Sequence, residues 1–169
     1  MSSKIVGSML VILGCGGFGF SMAAACRREE RQLMQLMDIL NYLYCELKYR
    51  LTPLPELCRR AAKQGRGGIH DLFDDVADIL QQGTLPRVSD CIYLAMTGAD
   101  LSPTIRELLI VMGQTLGQFD LEGQLMGLDA LRNRCAQALE TLRQGKNDRL
   151  RSYQTLGLCA GAALVILFV

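Results

Sequence analysis

From Ile5 to Cys26 the chain carries no charged residue, and this run limits the fold more than any other feature. A helix over those roughly 22 positions is about 33 Å long, enough to cross a hydrocarbon core. A second apolar stretch, Leu156 to Val169, closes the chain. At about 14 residues it spans only with Tyr153 to Thr155 added and some local bilayer thinning. Lys4 precedes the first run, and Arg27, Arg28 and Arg31 follow it; Lys146, Arg149 and Arg151 stand before the second. Basic residues thus face the middle of the chain from both sides. The positive-inside rule places that middle in the cytoplasm and both termini across the membrane. The expected division is an N-terminal transmembrane helix at 1–26, a cytoplasmic helical bundle domain at 27–152 and a C-terminal hydrophobic or transmembrane helix at 153–169.

Small residues mark both ends: Gly7, Gly14, Gly16, Gly17 and Gly19 in the first, Gly157-x-x-x-Gly161 in the second. They let helix backbones approach closely in lipid. The ends are therefore read as a membrane hairpin able to pack on neighbours, with the lipid bilayer as a partner and homo-oligomers allowed. A secretory signal is the rival, with Ala23-Ala24-Ala25 as its cleavage site. The apolar run is longer than a usual signal core, and the following arginines resist translocation.

Eighteen Lys+Arg oppose seventeen Asp+Glu, so no basic field exists to displace counterions from phosphates, and no nucleic-acid partner is expected. Cys15, Cys26, Cys45, Cys58, Cys91, Cys135 and Cys159 are widely spaced with no C-x-x-C. An odd, scattered set reads as small buried hydrophobes in a reducing compartment, not a disulfide framework. Gly14-Cys15-Gly16-Gly17-Phe18-Gly19 matches G-x-G-x-x-G, and Asp38 falls near the spacing of a ribose-binding carboxylate. A dinucleotide site needs a βαβ crossover there. Instead Leu33, Met37, Leu40, Tyr44, Leu47 and Leu51 recur at alternating steps of four and three, the stripe of an amphipathic helix.

The middle reads as helices separated by Pro and Gly. The first continues from Arg27 to Leu51. Thr52-Pro53 is a cap followed by Pro at the first helical position, opening a helix to about Gln64. Gly65-Arg66-Gly67-Gly68 breaks it, and Ile69 to Gln82 resumes with Leu72, Phe73, Val76, Ile79 and Leu80 on one face. A short helix from Arg87 reaches Thr97. Ser102-Pro103 repeats the cap signature, with Ile105, Leu108, Leu109, Met112 and Leu116 following. The last helix starts near Asp120 with Leu121, Leu125, Leu128, Cys135, Leu139 and Leu142 in rhythm and Arg132 interrupting it. Two long striped helices at the ends of the domain pack most simply as an antiparallel pair, the shorter helices closing a bundle.

No chemistry-bearing constellation emerges. His70, the only histidine, has no metal-ligand spacing to Cys or a second His. Asp71, Asp74, Asp75 and Asp78 share a helical face opposite Leu72, Val76 and Ile79. That face reads as solvated, with docking of a basic partner or metal binding as alternatives. G-x-x-x-x-G-K-[ST], H-E-x-x-H and G-x-S-x-G are absent. The expectation is a protein that is not an enzyme, with no catalytic residues, metal ligands or cofactors.

Three stretches together resemble the stage III sporulation protein AB family of endospore-forming bacteria. They are Leu40-Asn41-Tyr42-Leu43-Tyr44-Cys45-Glu46-Leu47-Lys48-Tyr49 with Thr52 to Leu57; Gly113-Gln114-Thr115-Leu116-Gly117 with Asp120, Glu122, Gly123 and Gln124; and Lys146 through Leu158. The resemblance covers essentially the whole chain. It implies an all-α fold: a six-helix antiparallel bundle, similar to the inner-membrane platform proteins of type II secretion and type IV pilus machines, flanked by N- and C-terminal transmembrane helices. It implies a non-enzymatic platform in the sporulation channel between mother cell and forespore, in the mother-cell membrane facing the forespore. Its implied partners are a cytosolic hexameric ATPase and other membrane components of the channel. The alternative is a membrane-anchored helical scaffold or regulatory module unrelated to secretion.

By motif match the partner-binding residues would be Glu46, Tyr49, Thr52, Pro53, Leu54, Gly113, Leu116, Gly117, Asp120 and Gln124. Each has a structural alternative. Thr52-Pro53 starts a helix, and Gly113 and Gly117, one turn apart, permit close helix packing. Glu46, Asp120 and Gln124 stand out as polar groups on otherwise apolar helices.

Overall fold

The computed structural model describes side chains for residues 24–145 except 118 and 119, and backbone helix beyond them out to Ser2 and Phe168. Among the described residues the chain is all-helical, without a strand, in six helices. They are α1 (Ser2–Tyr49), α2 (Leu54–Ala62), α3 (Gly68–Gln82), α4 (Val88–Met96), α5 (Pro103–Thr115) and α6 (Leu121–Phe168).

α1 and α6 run antiparallel along each other. The Cys135 thiol donates to the Leu33 carbonyl at 3.4 Å, and Arg143 Nε donates to Glu30 at 3.1 Å. Further along, the Arg132 guanidinium lies 5.4 Å from the centre of the Tyr44 ring. Arg132 interrupts the apolar stripe of α6 without breaking the packing, because its planar cation covers an aromatic face and pairs with Asp129 at 3.2 Å.

The stripe on α1 is wider than its four-three rhythm. Leu33, Leu40 and Leu47 are buried as the spacing predicts, but Met37 and Tyr44 are only half-buried. Leu36, Ile39 and Leu43 are buried beside them. The reason is that α1 contacts α6 on one side and α2, α3 and α5 on the other, so two adjoining faces are covered. Leu57, Ala61, Ile69, Leu72, Phe73, Val76, Ile92, Ile105, Leu109 and Met112 complete one continuous core. Burying each large aliphatic or aromatic side chain contributes about 1.5–3 kcal/mol, so this cluster is the main source of stability.

Polar contacts fix the loops. Gln32, 7% exposed, donates from Nε2 to the Asp100 carbonyl at 2.8 Å and accepts from the Ser102 amide at 3.0 Å. Arg28 also bonds the Asp100 carbonyl and pairs with its carboxylate, and the Thr104 hydroxyl donates to Glu29. Arg106 donates to the carbonyls of Met96, Ala99 and Leu101. The α4–α5 loop is thereby tied to α1. Gly68, at the start of α3, lies against the same loop: a Cβ there would sit 2.6 Å from the Asp100 carbonyl oxygen.

Ser102 caps α5 as its sequence predicts, its hydroxyl accepting from the Ile105 amide at 3.4 Å. Thr52 does not cap α2. The helix begins at Leu54 with Pro53 in the capping position, and the Thr52 hydroxyl donates elsewhere, to Glu46. Leu51 likewise falls past the end of α1 and is 67% exposed instead of extending the stripe.

Among the described residues no helix is long and apolar enough to cross a membrane. The predicted spans at 5–26 and 153–169 lie outside the residues whose side chains are described, apart from 24–26.

Candidate functional site

The sequence candidates converge on the corner where α1 turns into α2. Glu46 is its organising group. Only 7% exposed, it accepts the Thr52 hydroxyl at 2.8 Å, pairs with Arg50 at 3.3 Å and lies 4.0 Å from Arg60. Its backbone carbonyl accepts from the amides of Arg50 and Leu51 at 2.9 and 3.1 Å, which closes the helix end. Arg60 is held in turn by Glu56 at 2.6 Å. The bond and charge of Glu56, with a further bond from Tyr42, raise the already high pKa of Arg60. A carboxylate this buried requires such partners, since an unpaired one carries the full desolvation penalty. Glu46 is therefore a clasp inside the corner, not a group offered to solvent.

Tyr49 is the exposed face of the corner at 73%. Lys48 places its ammonium 5.6 Å from the Tyr44 ring centre and 5.5 Å from that of Tyr49. Leu51 follows with φ 49, in the left-handed region and outside the core. Pro53 is exposed and Leu54 is half-buried against the core.

Leu54 joins the second group of candidates to the first. Gly117 has φ 76, and a Cβ on it would lie 4.0 Å from Leu54 Cδ2 and 2.9 Å from Val88 Cγ2. The start of α2 and the turn after α5 are thus neighbours. Gly117 lies beyond the end of α5, so its conformation and not helix-to-helix approach explains the residue. Gly113 does permit close approach: a Cβ there would stand 3.0 Å from Ser89 Cα on α4. Leu116 is buried at 1% as part of the core. Asp120 is exposed and caps α6, its carboxylate accepting from the Gly123 amide at 3.0 Å and its carbonyl from the Gln124 amide at 3.0 Å. Gln124 is half-buried in the first turn of that helix.

The other polar features of the sequence are accounted for by the fold. His70 Nδ1 lies 2.8 Å from the Ala62 carbonyl at the end of α2. Asp74 and Asp78 face Arg59 of α2 at 3.9 and 2.7 Å, which also donates to Gln81, while Asp71 and Asp75 are exposed. Among the described residues no group of three or more His, Cys, Asp or Glu is placed to hold a metal ion. Cys58, Cys91 and Cys135 are buried free thiols, but Cys45 is exposed on α1, so the reading of every cysteine as a buried hydrophobe is corrected there. Burial pushes the Cys58 thiol up to about 12, with Cys91 adding to it, and the Cys135 thiol up to about 11.

Lys48, Leu51 and Arg60 are the corner residues that sequence reasoning missed. Nothing in the spacing distinguishes Lys48 or Arg60 from other surface cations, and a left-handed leucine has no sequence signal.

Comparison with known proteins bears on the whole chain. The family model described as Stage III sporulation protein AB matches residues 4–169. A solved structure titled Stage III sporulation protein AB superposes with a TM-score of 0.63 at 23% identity, covering 72% of this chain and 98% of that one. At that identity the likeness speaks for the fold. No curated protein matches. With the family model spanning nearly every residue, the chain belongs to the stage III sporulation protein AB family, and its role is a sporulation-related one.

Proposed function

We propose that this chain is a non-enzymatic membrane platform of the channel between mother cell and forespore, and that its corner at the end of α1 docks a cytosolic secretion-type ATPase. The observation that carries the reading is the continuity of α1 as one helix from Ser2 to Tyr49. One end of that helix is the uncharged run Ile5–Cys26, and the other is the exposed corner. A residue inserted in a membrane and a residue offered to a cytosolic partner would then belong to one rigid element. Family membership supports the sporulation setting, and basic residues on the inner side of both apolar ends support the orientation. In this reading 1–26 and 153–169 hold the chain in the mother-cell membrane facing the forespore, with 27–152 in the cytosol. Small residues in those ends supply contacts to other membrane components or further copies.

Affinity purification of the full-length chain from sporulating cells in mild detergent, with crosslinking and mass spectrometry, tests this. A cytosolic ATPase crosslinked to residues between Arg27 and Tyr153 is expected. Recovery of unrelated soluble partners alone, with the ATPase in the lysate but absent from the eluate, would favour a scaffold unconnected with secretion.

A further inference from the structure

One part of the corner has no role in holding the fold. Lys48, Tyr49, Arg50 and Leu51 are all exposed, and Leu51 stands outside the core cluster. Yet Leu51 keeps φ 49, a left-handed conformation that costs a leucine free energy and that Gly or Asn would adopt more easily. Strain retained at an exposed side chain points to a demand on the side chain itself, because relieving it would sacrifice no packing.

The charges beside Leu51 indicate what it meets. Arg50, Arg60 and Arg132 are matched by Glu46, Glu56 and Asp129. Lys48 has only the rings of Tyr44 and Tyr49 and no carboxylate among the described residues. An aromatic and an aliphatic side chain flanked by an unmatched cation complement an acidic surface with an apolar recess. Distance argues against lipid. From Arg28 to Tyr49 α1 is unbroken, and about 1.5 Å per residue puts the corner roughly 30 Å along the helix from the apolar run. A bilayer holding that run would lie out of reach of Leu51, whereas a cytosolic protein would not.

We infer that Tyr49 and Leu51, flanked by Lys48, are the anchor for an acidic protein surface bearing an apolar recess. This rests on the proposed function, in which that surface belongs to the ATPase, and it assigns the contact to residues absent from the motif-based candidates. The clasp at Glu46 and Thr52 positions the anchor without touching the partner.

The test uses full-length chain throughout. Benzoylphenylalanine is placed at position 49, at 51 and, as a control, at Asp75, and crosslinked in sporulating cells. Affinity of the detergent-solubilised chain for the purified ATPase is then measured at low and high salt for the parent, Leu51→Asn and Lys48→Glu. Adducts with the ATPase at 49 and 51 but not at 75 are expected. Leu51→Asn should weaken binding by about tenfold or more while leaving Tm unchanged or higher, since Asn tolerates the left-handed backbone. Lys48→Glu should weaken binding similarly and flatten its salt dependence. ATPase crosslinks elsewhere in 27–145, with 49 and 51 silent and both variants binding like the parent, would overturn the anchor and leave the platform standing. No ATPase contact at any position, with the ATPase present in the cells, would overturn both.

Discussion

A carboxylate with 7% exposure survives only in company, and Glu46 has Thr52, Arg50 and Arg60 around it. Glu46→Ala leaves Thr52 and part of Arg60 unpaired at a helix end, and should cost about 1–3 kcal/mol in urea unfolding. Leu51 acts in the opposite sense. Replacement by Gly removes the left-handed penalty and should stabilise the chain by about 1 kcal/mol, less the entropy that Gly adds to the unfolded state. A thermal melt of that variant below the parent's would contradict the assigned strain. The thiols titrate with a definite sign. An unfolded cysteine loses its proton near 9.0, while folded Cys58 holds it to about 12. Its contribution is therefore complete below about pH 9 and is lost as pH rises toward 12, at about 1.4 kcal/mol per unit. Between about pH 8 and pH 10, Cys58→Ala should lose roughly 1.4 kcal/mol less stability than the parent. At this scale the sequence was least legible. Glu46 stood out as a polar residue in an apolar helix, but its partners at 50, 52 and 60 could not be inferred, and the reading of Thr52 as a cap assigned its hydroxyl to the wrong acceptor.

Helices were far more legible, for reasons visible at their ends. Ser102 before Pro103 predicted the start of α5, because a hydroxyl at that place satisfies an otherwise orphaned amide. Ser102→Ala should cost about 1 kcal/mol, measured as a shifted denaturant midpoint with unchanged slope. The apolar rhythm of α1 ran one step too far, to Leu51, because spacing records which face is greasy and not where hydrogen bonding stops. The Gly-rich break before α3 was legible as a break, but not its use: Gly68 leaves room for the carbonyl of Asp100. Gly68→Ala should destabilise by more than a surface Gly→Ala change elsewhere, since backbone must move to admit the methyl group. The tie from Gln32 and Arg28 to the same loop joins positions about 70 residues apart, a link that no local pattern encodes.

In the whole molecule, the all-helical class and the pairing of the two long helices followed from periodicity, since each stripe needs an apolar partner and the short helices cannot cover both. Their common core means that damage at its centre is global. Phe73, 1% exposed, should cost about 3–5 kcal/mol on truncation to Ala, with loss of cooperative unfolding as the marker of failure. The closure of that core also sets an order of events. Leu33 meets Cys135, a separation of 102 residues, so the apolar face of α1 has no cover on that side until most of the chain has left the ribosome. During synthesis the nascent protein displays a greasy flank and five finished helices with no sixth to seal them. A chain arrested before residue 121 should be a chaperone client and a protease substrate, while the completed chain becomes resistant as its last helix docks.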